Sequence, residues 1–127
     1  MRSVGTDAFR DIGAIAPQRI WDGVLGRTVH GERVTLTVVE LDPDCIVPEH
    51  SHDNEQLGIL VHGSLTFRVG DETRELEPGG TWRILANVPH EVRTGPDGAV
   101  VIETFAPIRD DWEQLEHREP TQPRWPI

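Results

Sequence analysis

Pro48-Glu49-His50-Ser51-His52-Asp53-Asn54-Glu55-Gln56-Leu57-Gly58-Ile59-Leu60-Val61-His62-Gly63 is the stretch whose reading decides the fold. Side chains on a strand alternate faces. His50 and His52 therefore point the same way, and on a continuing strand Gln56 shares their parity. Glu55 has the opposite parity and points away unless a bulge intervenes. Neutral imidazole is the commonest side-chain ligand for transition metals. A lone His-x-His also reads as two polar residues at a strand start. A downstream stretch, Pro78-Gly79-Gly80 running on to Val88-Pro89-His90, adds a third imidazole from another strand. The two stretches read as halves of one metal site.

Outward from this segment the chain alternates short β patterns with turn signals. Val34–Leu41 is a β-branched run ended by Asp42-Pro43-Asp44. Ile46–His52 resumes extended structure. Gln56–Val61 is apolar on both faces and predicts a buried strand, with His62-Gly63 as the turn after it. Leu65–Val69 alternates, and Gly70-Asp71 predicts a two-residue hairpin turn into an edge strand at Thr73–Leu76. Thr81–Leu85 and His90–Arg93 follow, then a turn at Gly95-Pro96-Asp97-Gly98 and a last strand at Ala99–Phe105. Earlier, Arg19–Val29 reads as a pair of short strands around Gly23 and Gly26. Met1–Pro17 is an irregular lead-in with room for one helical turn at Thr6–Ile12. Strands at this spacing with almost no helical periodicity predict an all-β sandwich or closed barrel. At 127 residues one domain, 1–127, is expected, with a core over about 19–106 and a Pro-rich tail over about 113–127.

Composition narrows the classes of function. The formal net charge of −10 argues against nucleic acid, which requires a basic face. All positive charges are arginine, so lysine Schiff-base chemistry is absent. No apolar run is long enough to span a membrane, and the N-terminus lacks a signal-peptide core. The single cysteine, Cys45, forms no internal disulfide and reads as a small buried hydrophobe. A cytoplasmic setting is expected. His30, His62 and His117 sit in turn-like or charged surroundings and read as non-ligating. Trp21 and Trp82 read as core residues or cavity lining.

The motifs His50-x-His52-(x)3-Gln56-(x)6-Gly63 and Pro78-x-Gly80…Pro89-His90 resemble those of the cupins, over about residues 34–106. The resemblance implies a single-domain jelly-roll β-barrel with short irregular extensions at both ends. It implies one divalent transition metal ion per chain, held by His50, His52, Gln56 and His90, and a homodimer. Three imidazoles and an amide suit Zn, Ni, Fe and Mn alike. Because no ligand is anionic, such a site favours Lewis-acid work on an anionic oxygen, although three-histidine oxygenases exist among cupins.

Val100-Val101-Ile102-Glu103-Thr104-Phe105-Ala106-Pro107-Ile108-Arg109-Asp110-Asp111-Trp112 is the other informative stretch. Glu103 interrupts an apolar strand, and parity leaves open whether its carboxylate faces inward or outward. Phe105 shares its face. Arg109 follows the break at Pro107, placed to clamp a substrate carboxylate at a barrel rim or to pair with Asp110 or Asp111. This tail, with His50–Gly58, is similar to the pectin-degradation cupins typified by KdgF. Those proteins open the ring of 4,5-unsaturated uronates. Their functional acid, Phe and Arg fall on Glu103, Phe105 and Arg109, with Glu standing where the family usually has Asp. The resemblance implies a lyase- or isomerase-type enzyme acting on a small oxygenated anion. A cyclase of aromatic polyketide biosynthesis, a dioxygenase and a non-catalytic sugar-binding module are the alternatives. A wide apolar cavity would favour the cyclase, a small polar one the uronate.

Overall fold

A computed structural model describes residues 8–126. Thr6 and Asp7 lie outside them, so the helical turn expected at Thr6–Ile12 is only partly tested. The described part of the lead-in forms one 3-10 turn at Ile12–Ala14. Eight strands follow: β1 (Gln18–Trp21), β2 (Val24–His30), β3 (Thr35–Leu41), β4 (Ile46–His50), β5 (Glu55–Val69), β6 (Glu72–Leu76), β7 (Thr81–Ile84) and β8 (His90–Ala106). A second 3-10 helix, Asp110–Gln114, ends the regular structure.

β5 and β8 are each long enough to belong to two halves of the sheet. The first half of β5 pairs with the second half of β8 (Gln56 opposite Phe105, Gly58 opposite Glu103), and this half is continued by β3, β2 and β1 on one side and β7 on the other. The second half of β5 pairs with the first half of β8 (Phe67 opposite Val92), flanked by β6 and β4. Between the halves the β5–β8 register shifts twice, near Val61 and near Ser64. The expected turns at His62-Gly63 and at Gly95–Gly98 are therefore bends inside continuous strands. Their physical basis is shared. Gly63 and Gly98 adopt positive φ (+86° and +68°), which glycine takes without penalty, and a Cβ on Gly63 would run into the Gly98 backbone. The turn at Gly70-Asp71 forms as expected, between Val69 and Glu72.

Inward-facing residues of both halves meet in one core: Val39, Leu41, Val47, Leu60, Phe67, Trp82, Ile84, Val92 and Val101, with Cys45 at its margin. This all-β antiparallel jelly roll agrees with the sequence reading. Burial pushes the Cys45 thiol pKa up, which fits a packing role rather than a nucleophilic one.

The C-terminal tail lies along the body of the molecule. Gln18 Nε2 donates to the carbonyls of Trp112 and Leu115 at 2.9 and 3.1 Å. Arg27 on β2 pairs with Glu40 on β3 at 2.6 Å, both side chains almost wholly buried. Arg27 also donates to the Thr121 carbonyl at 2.7 Å, and the Arg124 amide donates to Glu40 at 2.9 Å. Among the described residues no helix is long and apolar enough to cross a membrane.

Candidate metal centre and adjoining cavity

The three histidines converge at one end of the body. β4 ends at His50, which stands opposite His90, the first residue of β8. Their rings lie 4.3 Å apart between centroids. His52 is not on the strand that parity assumed. It sits in the loop between β4 and β5, its ring 5.0 Å from that of His90. One ligating atom from each of the three lies within 4.8 Å of the others. Gln56, second residue of β5, approaches from the neighbouring strand, its Oε1 3.0 Å from His52 Nε2.

Hydrogen bonds at the other ring nitrogen set the tautomers. His50 Nδ1 meets the Pro48 carbonyl at 2.8 Å, His52 Nδ1 that of Asn54 at 2.9 Å, and His90 Nδ1 that of Val88 at 2.8 Å. A carbonyl only accepts, so each Nδ1 carries the proton and each Nε2 presents a lone pair. Such outer bonds orient metal-ligating histidines. Buried His90 Nε2 has no hydrogen-bond partner. The Gln56 amide NH2 donates to Glu103 Oε2, which turns its carbonyl Oε1 toward the lone pair of His52 Nε2. Two acceptors facing each other beside an unpartnered buried imidazole nitrogen repel unless a cation lies among them. The donor set therefore fits the divalent ion that the sequence implies.

Burial lowers the His90 pKa to about 4, with further lowering from His50, His52 and Arg109. Burial and Arg109 also lower that of His52. Both rings stay neutral, the form that binds a metal.

Glu103 faces inward and lines the same cavity as the histidines, with Phe105, Arg109 and Trp82. Its Oε2 accepts from Trp82 Nε1 at 2.9 Å as well as from Gln56. Burial raises the Glu103 pKa, while the bonds from Gln56 and Trp82 and the charge of Arg109 oppose the rise. Trp82 reaches it because Gly58 leaves room, since a Cβ there would collide with the indole. Arg109 is held three ways. Nε and Nη2 donate to the Asp111 carboxylate at 3.1 and 3.0 Å. Its guanidinium carbon lies 4.9 Å from the Phe105 ring centroid and 4.4 Å from that of Trp112. Its side chain is 12% exposed, against 60% for Asp111. Asp111 thus takes one edge of the guanidinium, and the Arg109 bonds lower the Asp111 pKa.

The cavity measures about 90 Å3, well below the roughly 300–1,000 Å3 of drug-sized sites. Trp21 lines it with its ring 5.0 Å from His50, and Trp82 belongs both to the core and to the lining. His62 and His117 are exposed, and His30 bonds Thr35, away from the cluster. Sequence reasoning missed the Trp82 donor, the contacts of Asn54 and the buried Arg27–Glu40 pair. The glycine opposite Glu103 in the register, Gly58, was the available signal for Trp82.

An antiparallel jelly roll with three convergent histidines defines a class of barrel that can hold a metal ion. The chain matches the Cupin domain family over residues 37–105 and belongs to it. It is 26% identical over 97 residues to the pectin degradation protein KdgF of Dickeya dadantii, covering 75% of this chain and 88% of that one. The structure of KdgF from Halomonas sp. superposes with a TM-score of 0.70 at 25% identity, over 75% of this chain and 88% of that one. An RmlC-like cupin from Shewanella frigidimarina superposes with a TM-score of 0.78 at 20% identity, over 84% and 96% of the two chains, a likeness of fold. Within the cupins, the chain is similar to KdgF.

Proposed function

We propose that the chain is a metal-dependent enzyme of the lyase or isomerase type, opening the ring of a 4,5-unsaturated uronate to the linear keto acid. The observation that carries the reading is the sharing of one small cavity by Glu103, Arg109 and the three-histidine cluster. The 26% identity to a pectin degradation protein supports it. The reaction is an isomerisation. The anomeric hydroxyl loses its proton, the C1–ring-oxygen bond breaks to leave an aldehyde, and the enol formed at C5 takes a proton at C4 to become a ketone. A divalent ion held by His50, His52, Gln56 and His90 would supply Lewis acidity at an oxygen of the substrate. Glu103 moves the proton, and its raised pKa suits a group that must both accept and donate. Gln56 and Trp82 fix Oε2, leaving Oε1 for the transfer. Arg109 holds the substrate carboxylate on the edge that Asp111 does not use. Phe105 packs under that guanidinium. The cavity is small, as a uronate requires, while Trp21, Phe67, Trp82 and Phe105 make its lining largely apolar, as a cyclase requires, so the choice between them rests on Glu103 and Arg109.

The test is loss of the conjugated ultraviolet absorbance of an unsaturated uronate on adding zinc-, nickel- or manganese-loaded chain. Turnover should fall by about 10²–10⁴-fold in Glu103→Gln. Absence of acceleration with every metal would refute the reading.

We also propose a homodimer. Val29, Leu36, Leu57 and Ile59 are 37–49% exposed, and pairing through β2, β3, β8 and β5 sets them close together. Exposed Arg83 stands opposite Leu57 on this face, and an isologous contact buries the same patch on each copy. Leu57→Glu should yield a monomer by sedimentation. An unchanged mass would exclude that face.

A further inference from the structure

Asn54 lies in the loop between β4 and β5, between His52 and Gln56, and none of the roles above uses it. Its backbone carbonyl accepts from His52 Nδ1 at 2.9 Å. Its side-chain amide reaches across to the segment after β8, where Nδ2 donates to the Pro107 carbonyl at 2.6 Å and the Ile108 carbonyl at 3.3 Å. The Ile108 carbonyl belongs to the same peptide group as the Arg109 N–H. That N–H donates to Thr35 Oγ1 at 2.9 Å, on a hydroxyl buried at the start of β3. The peptide that launches Arg109 is therefore held at its oxygen by the histidine loop and at its nitrogen by the barrel wall.

We infer that Asn54 is a positioning residue that locks the arginine-bearing rim segment to the histidine loop, so that the carboxylate clamp and the metal ligands keep a fixed separation. This rests on the reading of Arg109 as the holder of a substrate carboxylate. Asn54 touches both segments at once, the histidine through its backbone carbonyl and the rim through its side-chain amide. A clamp released from this lock must be ordered again by each ligand it holds, which lowers its affinity for a carboxylate. The chemistry of the site is untouched by Asn54, because its side chain meets neither Glu103 nor a histidine ring nitrogen in the bonds above.

The experiment uses the zinc-loaded chain, with Asn54→Ala and Asn54→Asp beside the wild type. The aspartate keeps the shape and the backbone carbonyl but sets an acceptor against two carbonyls. Three quantities are read: zinc per chain, hydrogen exchange of the Arg109–Trp112 amides, and affinity for galacturonate (a carboxylate that cannot react) against its methyl ester. Expected in both variants are wild-type zinc content, faster exchange in that segment, and a galacturonate Kd raised about tenfold with the ester unaffected. KM for the unsaturated uronate should rise similarly, with kcat within about threefold. An unchanged galacturonate Kd would overturn the inference, as would equal weakening of acid and ester or parallel loss of zinc. A wild type that binds galacturonate but turns over no uronate would sink the ring-opening reading and leave the Asn54 comparison decisive on Kd. A wild type that binds neither would overturn both.

Discussion

The proton on each Nδ1 is committed to a backbone carbonyl, so a proton added to any of the three rings must go to Nε2, where a cation would sit. Metal and proton therefore compete for the same lone pairs. His52→Ala removes one lone pair, and the purified variant should hold less than about a tenth of an ion where the wild type holds about one. Elemental mass spectrometry decides this, and equal content in both would disprove the ligand assignment. Burial of neutral His90 gives stability a pH dependence in the metal-free chain. His90 has a folded pKa of about 4 against an ordinary value of 6.5, so between those values the unfolded chain binds more protons than the folded one. Stability should be fully present above about pH 6.5 and fall as pH drops toward 4, by at most on the order of 3 kcal/mol. Urea titrations of chelator-treated protein at several pH values measure it. A flat profile would mean that His90 is not buried as neutral imidazole.

The bends of β5 and β8 bring the site together, because they put His90 on one half of the sheet and Glu103 on the other while both belong to one strand. Gly63 and Gly79 separate two contributions to such positions. Gly79 has φ +99° with open space where a Cβ would point, whereas Gly63 has φ +86° and the Gly98 backbone in the way. Gly79→Ala should cost about 1–2 kcal/mol of backbone strain. Gly63→Ala should cost more, about 3–5 kcal/mol, since the neighbouring strand must move too. Similar losses in chemical denaturation would show that the bend tolerates a side chain. These glycines also explain what the sequence left unreadable. Glycine at positive φ looks the same in a turn as in a bend, so the strands were legible and their continuity was not. The convergence of His50, His52 and Gln56 was legible, but by a parity argument that fails in detail. His52 lies beyond the end of β4, and a carbonyl bond to Asn54 aims it. The face of Glu103 was undecidable because β8 is apolar on both sides: Val101 and Phe105 are buried inward, and Val100 is buried as well. Only pairing with Gly58 and the indole of Trp82 sets the carboxylate inside.

At the scale of the whole molecule, the tail is fastened to the barrel by a buried ion pair as well as by the bonds of Gln18. Arg27 and Glu40 are neighbours on the outer side of β2 and β3, and both are buried because residues 121–124 lie over them. Burial pushes the Glu40 carboxyl up, but bonds from Arg124 and Arg27 prevail and hold it below the usual carboxylate range. A buried pair of this kind is costly to break and cheap to replace, since losing one partner strands the other charge while losing both removes the desolvation cost. Glu40→Leu or Arg27→Met alone should destabilise the chain by about 3–5 kcal/mol. The double variant leaves the net charge at −10 and should recover to within about 1–2 kcal/mol of the wild type. Its tail, however, has lost the guanidinium that bonds Thr121 and the carboxylate that bonds Arg124. Trypsin reads that loss directly, because with no lysine in the chain it cuts only after arginine, and Arg118 and Arg124 flank the anchored segment. The double variant should therefore combine near-wild-type urea stability with faster cleavage after Arg118. Slow cleavage at recovered stability would mean that Gln18 and the 3-10 helix at Asp110–Gln114 hold the tail without the ion pair. A double variant as unstable as the singles would show that the pair stabilises the barrel itself rather than fastening the tail.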